Sequence, residues 1–186
     1  MENKKILKKR LYILVECAIM VSLAFVLSLI KIWEMPFGGA ITLLSMLPVC
    51  IVSLRHGIMW GLGTALVYSA TQALLSGATG WGLSLTALIL CFLLDYIIAF
   101  TVLGFAGILR SKGTLGRVLG ICFACLLRFI SHYLSGVILW REAGLAYGIA
   151  NPYLYSLLYN GAYMLPETIF TCVAAVVLLN KFKLKY

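Results

Sequence analysis

Acidic residues are scarce in this chain. Six Asp and Glu stand against fifteen Lys and Arg, and charged residues of both signs make up 11% of 186 positions. A phosphate-cradling GxxxxGK[ST] loop is missing, and no polar stretch is long enough to fold as a nucleotide-binding domain. Any uptake against a gradient must therefore draw its energy from a partner or an ion. The basic residues form no contiguous face with interleaved aromatics outside the apolar runs, which excludes nucleic acid as a ligand. Strand-like alternation is absent, which leaves helices as the way to satisfy backbone groups in lipid. No internal repeat of the kind that marks many secondary transporters is visible. All six cysteines (Cys17, Cys50, Cys91, Cys122, Cys125, Cys172) fall inside apolar stretches, where a thiol behaves as a small hydrophobe. Cys122 and Cys125 have CxxC spacing but no second pair or matching His. Neither a disulfide framework, nor a metal site, nor a cofactor is expected.

Hydrocarbon-compatible sequence fills the rest. Hydrophobic residues reach 63% and mean hydropathy is +1.04, beyond the roughly 45–50% apolar content of soluble domains. A spanning helix needs about 20 apolar residues. Six stretches qualify, near 11–31, 39–54, 57–76, 84–109, 115–140 and 155–180, with Pro48 interrupting the second. Lys4, Lys5, Lys8, Lys9 and Arg10 precede the first; Arg55, then Arg110, Lys112 and Arg117, and finally Lys181, Lys183 and Lys185 recur on the same side. Lys31 and Arg141 alone fall opposite. Cytoplasmic loops collect Lys and Arg. The expectation is an all-α integral membrane protein: a single six-transmembrane-helix domain over 1–186 with both termini cytoplasmic. The basic N-terminus and first apolar run mimic a signal peptide, but the run is too long and lacks a small-residue cleavage site. It reads as a retained first helix.

Ionisable residues at membrane depth point to function. Glu16 lies near the cytoplasmic end and reads as structural, since it can reach the interface. Arg128, His132, Gly136 and Trp140 recur every four residues in the fifth stretch, which stacks them on one helix face. A pure packing stripe would be apolar, so the stripe reads as a site, with Gly136 admitting either a ligand or a neighbouring helix. Asp95-Tyr96 lies ~16 Å from the outer end of its helix and His132 ~12 Å from its own, at 1.5 Å per residue. Tyr155 and Asn160 begin the sixth stretch at comparable depth. Aromatics, a carboxylate, an imidazole and an amide aimed into one outward-facing volume suit a small aromatic cation. Catalysis lacks a nucleophile, since Ser131 and Ser135 lie off the His132 face. Arg128 and Glu167 each lie ~18 Å below their helix starts, and the economical arrangement pairs them beneath the pocket. In the first loop, Pro36 with Gly38-Gly39 makes a flexible turn, and Trp33 is either an interfacial aromatic or a lid residue.

Several motifs, in order, resemble one family. They are Trp33-Glu34-Met35-Pro36-Phe37-Gly38-Gly39 with Ser45-Met46-Leu47-Pro48; Leu94-Asp95-Tyr96 with Ala99-Phe100; Arg128-Phe129-Ile130-Ser131-His132 with Ser135-Gly136 and Trp140; and Tyr155-Ser156-Leu157-Leu158-Tyr159-Asn160-Gly161 leading to Leu165-Pro166-Glu167. The chain is similar over nearly all its length to the thiamine-specific substrate-binding (S) components of energy-coupling factor transporters. The resemblance implies a six-helix bundle that captures thiamine from outside with high affinity, joined to a transmembrane coupling subunit and a cytoplasmic ATPase pair. By matching motif it implies Trp33, Asp95, Tyr96, His132, Gly136, Trp140, Tyr155 and Asn160 as binding positions. Relatives can carry Glu where this chain has Asp95. Where they carry Ala-xxx-Ala on the first helix as a partner interface, this chain has Ala18 and Ser22, which keeps the small-xxx-small spacing. The rival reading is a self-sufficient proton-coupled carrier with Asp95, Arg128, His132 and Glu167 as a relay.

Overall fold

The computed structural model describes residues 2–181; Lys183 and Lys185 lie outside the described residues. Among the described residues, five helices are long and apolar enough to cross a membrane. They are α1 (Glu2–Leu29), α3 (Ile58–Leu75), α4 (Leu85–Gly107), α5 (Gly113–Leu139) and α7 (Pro152–Lys181). Between α1 and α3 runs a short antiparallel hairpin of β1 (Lys31–Glu34) and β2 (Ala40–Thr42), followed by α2 (Leu47–His56). The single turn α6 (Ala143–Ala146) precedes α7.

The stretch expected to span at 39–54 is thus divided. Its first residues form β2, and only ten form a helix, half of the length that a bilayer crossing needs. Pro48 sits in the first turn of α2, where its missing N–H is an orphan in any case. It starts the helix instead of interrupting one.

Local signals place the other helices. Ser84 caps α4 by accepting from the Ala87 N–H (3.3 Å). Asn151 caps α7 by accepting from the Tyr153 and Leu154 N–H groups (3.0 and 3.3 Å), an N-cap arrangement that satisfies orphan donors. Within α4 the residues Phe92–Ile98 form a π-helical segment, a rare form that recurs at functional sites.

The half away from the hairpin is knitted by close backbone approach. A Cβ on Gly107 would lie 2.3 Å from the Ser53 carbonyl oxygen, and one on Gly104 would lie 2.5 Å from the Leu62 nitrogen. Ser53 donates to the Gly104 carbonyl and accepts from the Gly107 N–H (2.9 Å). Small residues of this kind let helices pack where lipid supplies no hydrophobic drive. Around this crossing Val49, Cys50, Leu54, Leu103 and Ala106 are fully buried. α5 packs along α7 and against α4, and α1 is the least buried of the long helices.

Candidate functional site

The hairpin, the ends of α1 and α3 beside it and the hairpin-side halves of α4, α5 and α7 enclose a cavity of about 820 Å³, within the size range of small-molecule sites. All four residues of the α5 stripe (Arg128, His132, Gly136, Trp140) line it, as do Asp95, Tyr96, Tyr155 and Asn160. Seven of the eight expected binding positions thus converge on one volume. Trp33 does not. It stands on β1, 48% exposed, outside the cavity lining.

A continuous polar chain crosses the cavity wall. Ser135 Oγ donates to Asp95 Oδ2 (2.5 Å), and Asp95 Oδ1 meets His132 Nδ1 (3.0 Å). Arg128 Nε donates to His132 Nε2 (3.3 Å). An Arg cannot accept, so Nε2 must be the acceptor and the ring proton sits on Nδ1, facing Asp95. The Arg128 guanidinium then faces Glu167 Oε2 at 3.5 Å and lies 4.2 Å above the centre of the Phe100 ring. The expected Arg128–Glu167 pair is present. Glu167 Oε1 also accepts from the Thr42 hydroxyl (2.5 Å) and N–H (3.4 Å), tying β2 to the cavity floor.

The charges in this chain do not cancel. Two carboxylates face one guanidinium, because the imidazole is neutral in the tautomer described. At the rim, Lys31 and Glu34 pair with each other at 2.5 Å and add nothing net. An uncompensated carboxylate away from water is costly, so the cavity favours a singly charged cation.

Ser135 was expected to lie off the His132 face, yet both side chains meet the same Asp95 carboxylate. Ser135 donates to Asp95 and not to the imidazole, so no activated nucleophile results. Beside Gly136 a Cβ would lie 2.2 Å from Ser156 Oγ. Its missing side chain therefore admits α7. The Asn160 amide donates to the His132 and Ser156 carbonyls (3.3 and 3.0 Å), and its oxygen accepts from Tyr163 Oη (2.9 Å).

Four lining aromatics, Phe100, Tyr159, Tyr163 and Trp81, lie outside the expected binding positions. Tyr159 and Tyr163 continue the four-residue spacing from Tyr155 to Glu167, and that spacing was the available signal. Their rings follow one another at 5.6 and 6.0 Å and end against His132 at 6.1 Å. Trp81, in the loop before α4, meets Trp140 edge to face at 5.4 Å; its flanking glycines were the only hint. At the other end of the molecule, Glu16 pairs with Arg55 and with His56 (3.0 Å). Ala18 and Ser22 lie on the exposed face of α1, with Ser22 Oγ donating to the Ala18 carbonyl (3.0 Å).

Comparison with known proteins gives this cavity a context. The family described as thiamine transporter protein matches residues 14–186. Thiamine transporter ThiT of Bacillus subtilis is 30% identical over 184 residues, 91% of this chain and 90% of that protein. Thiamine transporter ThiT of Lacticaseibacillus paracasei is 28% identical over 185 residues, 92% and 89% of the two chains. The solved structure of ThiT from Listeria monocytogenes has a TM-score of 0.72 at 25% identity, covering 93% of this chain and 96% of that one.

Fold, cavity and likenesses together define a multi-pass transport component of the plasma membrane, with a solute-binding cavity and no enzymatic role. More particularly, the chain belongs to the thiamine transporter protein family, the family that its motifs resemble.

Proposed function

We propose that this protein is the high-affinity thiamine-binding subunit of an ATP-driven vitamin transporter. It takes thiamine from the outside and delivers it through a separate transmembrane coupling subunit served by two cytoplasmic ATPases. The observation that carries the reading is the unbalanced charge of the aromatic cavity. Thiamine is a monocation built of two aromatic rings, so it matches the missing charge and offers faces for stacking. Asp95, with His132 and Ser135 holding its two oxygens, supplies the negative field. Trp140, Tyr96, Tyr155 and His132 supply ring faces, and the Asn160 side-chain oxygen keeps a second lone pair, beyond the one taken by Tyr163, for a donor on the ligand. Gly136 keeps α5 and α7 close enough to form the wall. Trp33 acts at the membrane interface.

The same reading assigns six membrane-embedded helices, with α2 and the hairpin together completing the second crossing, and both termini in the cytoplasm. The charge asymmetry supports this orientation, since Arg55, Arg110, Lys112 and Arg117 share one side with the basic N-terminus. Ala18 and Ser22 form the face for the coupling subunit, where small side chains permit close helix approach.

Titrating the purified protein with thiamine and following tryptophan fluorescence tests the ligand. Saturable quenching is the expected result, and a flat titration removes thiamine from the site. One observation favours the proton-coupled carrier as a second reading: Glu167, Arg128, His132 and Asp95 do form an unbroken chain. Thiamine uptake in cells lacking the ATPases separates the two. It is lost if the chain is a binding subunit and persists if the protein is a carrier on its own.

A further inference from the structure

The turn that covers the cavity is held by one hydroxyl. Pro36–Gly38 forms a single helical turn between the two strands, with Gly38 at φ 92°, a conformation open to glycine and strained for other residues. Tyr159 Oη donates to the Pro36 carbonyl and accepts from the Gly39 N–H (3.1 Å). Both ends of the turn are thereby tied to a single atom on α7. Gly39 is shaped for this contact, because a Cβ there would lie 2.8 Å from Tyr159 Oη and 3.0 Å from the Tyr163 ring. On the opposite side the turn rests on Trp81, whose ring lies 3.4 Å from the Cβ position of Gly38 and edge-on to Trp140. The Tyr159 ring itself lines the cavity, so one side chain touches both the solute volume and the cover over it.

We infer that Tyr159 is a positioning residue that latches the Pro36–Gly39 turn over the cavity and so sets how long the solute stays. The ring forms part of the wall. The hydroxyl holds the cover shut from inside, where a solute that shifts the ring also shifts the latch. Elsewhere the hairpin is anchored independently, at Thr42 by Glu167, so loss of the Tyr159 hydroxyl frees the turn and leaves β2 in place. This inference rests on the thiamine-binding reading for its kinetic part alone.

Tyr159→Phe keeps the ring and removes both hydrogen bonds. Stopped-flow tryptophan fluorescence with thiamine should show release about tenfold faster, the loss of one to two ordinary hydrogen bonds, with association roughly unchanged. Hydrogen exchange of the segment around Gly39 in the ligand-free protein should accelerate by a similar factor, because the Gly39 N–H loses its acceptor. Gly39→Ala, which pushes the turn off Tyr159, should reproduce both effects. A merely structural role for Tyr159 would alter association and thermal stability and leave that local exchange unchanged. Unchanged release together with unchanged exchange in Tyr159→Phe overturns the latch. If the parent protein fails to bind thiamine, the ligand assignment falls, and the exchange comparison still decides the latch.

Discussion

Two groups of buried charge lie at opposite ends of this bundle, and they are built on different plans. At the end away from the hairpin, Glu16 takes Arg55 and His56 onto its two oxygens, and Arg110 donates to the Arg55 carbonyl (3.2 Å). Every carboxylate oxygen of that group has a cationic or imidazole partner. At the hairpin end, Ser135, Asp95, His132, Arg128 and Glu167 form an open chain along a cavity wall, with one negative charge left over. Burial alone does not separate the groups, since both are largely screened from solvent. The difference lies in whether the carboxylates are outnumbered by their cationic partners or outnumber them along a cavity. A cluster with its carboxylate fully partnered braces helices, and one with a carboxylate in excess around a cavity waits for a solute.

The sharpest way to break that contrast is at Arg128. It belongs to the cavity chain by position, and its pairing with Glu167 is expected to be structural. Removing one partner of a buried pair costs roughly 3–5 kcal/mol, because the other charge is left alone. Arg128→Met should lower thermal stability in detergent by about that amount, and adding Glu167→Gln should restore part of it. A single variant as stable as the parent but unable to bind thiamine would move Arg128 from brace to binding group.

A smaller effect is expected at Trp140. Trp140→Ala should weaken thiamine binding by more than the ~1 kcal/mol of an exposed cation–π contact, because the cavity is shielded from water. Calorimetric titration measures it, and an unchanged dissociation constant would leave the ring face to Tyr96 and Tyr155. The smallest change belongs to the Glu16 cluster. Its side chains retain 13–26% exposure, so Glu16→Gln should cost only about 1 kcal/mol of stability. Thiamine affinity should stay the same, and a fall in affinity would show that the two ends communicate.

Much of this arrangement was legible in the chain, for identifiable reasons. The α5 stripe was readable because a four-residue spacing of Arg128, His132, Gly136 and Trp140 has no apolar explanation. The Arg128–Glu167 pair followed from depth and the cost of a lone charge. The hairpin was not readable: strands of four and three residues carry too little alternation, and only Thr42 and Ser45 interrupt the apolar run from β2 into α2. Tyr159 and Tyr163 were hidden because tyrosines in an apolar run score as interior residues, and their hydroxyl partners sit more than a hundred positions away or on the same helix. Trp33 stands on β1 outside the lining, and Trp81 on the opposite loop joins Trp140 as a tryptophan that lines the cavity.

The widened turn at Phe92–Ile98 has a consequence for the phase of α4. An α-helix advances about 100° per residue, so a single extra residue accommodated in one turn rotates everything beyond it by that angle relative to a regular helix. Upstream of the offset, α4 presents its outer residues to the loops. At the offset it presents Asp95 and Tyr96 to the solute, and beyond it Gly104 and Gly107 meet α3 and α2. Deleting one residue between Phe92 and Ile98 would take up the widened winding there, leave the tighter 3-10 winding of Val102–Gly107 uncompensated, and keep the composition nearly unchanged. It would also turn the carboxylate out of register with the glycines, so that either the cavity or the crossing could form, and not both. The segment works as a phase shifter that lets one helix serve two unrelated neighbours.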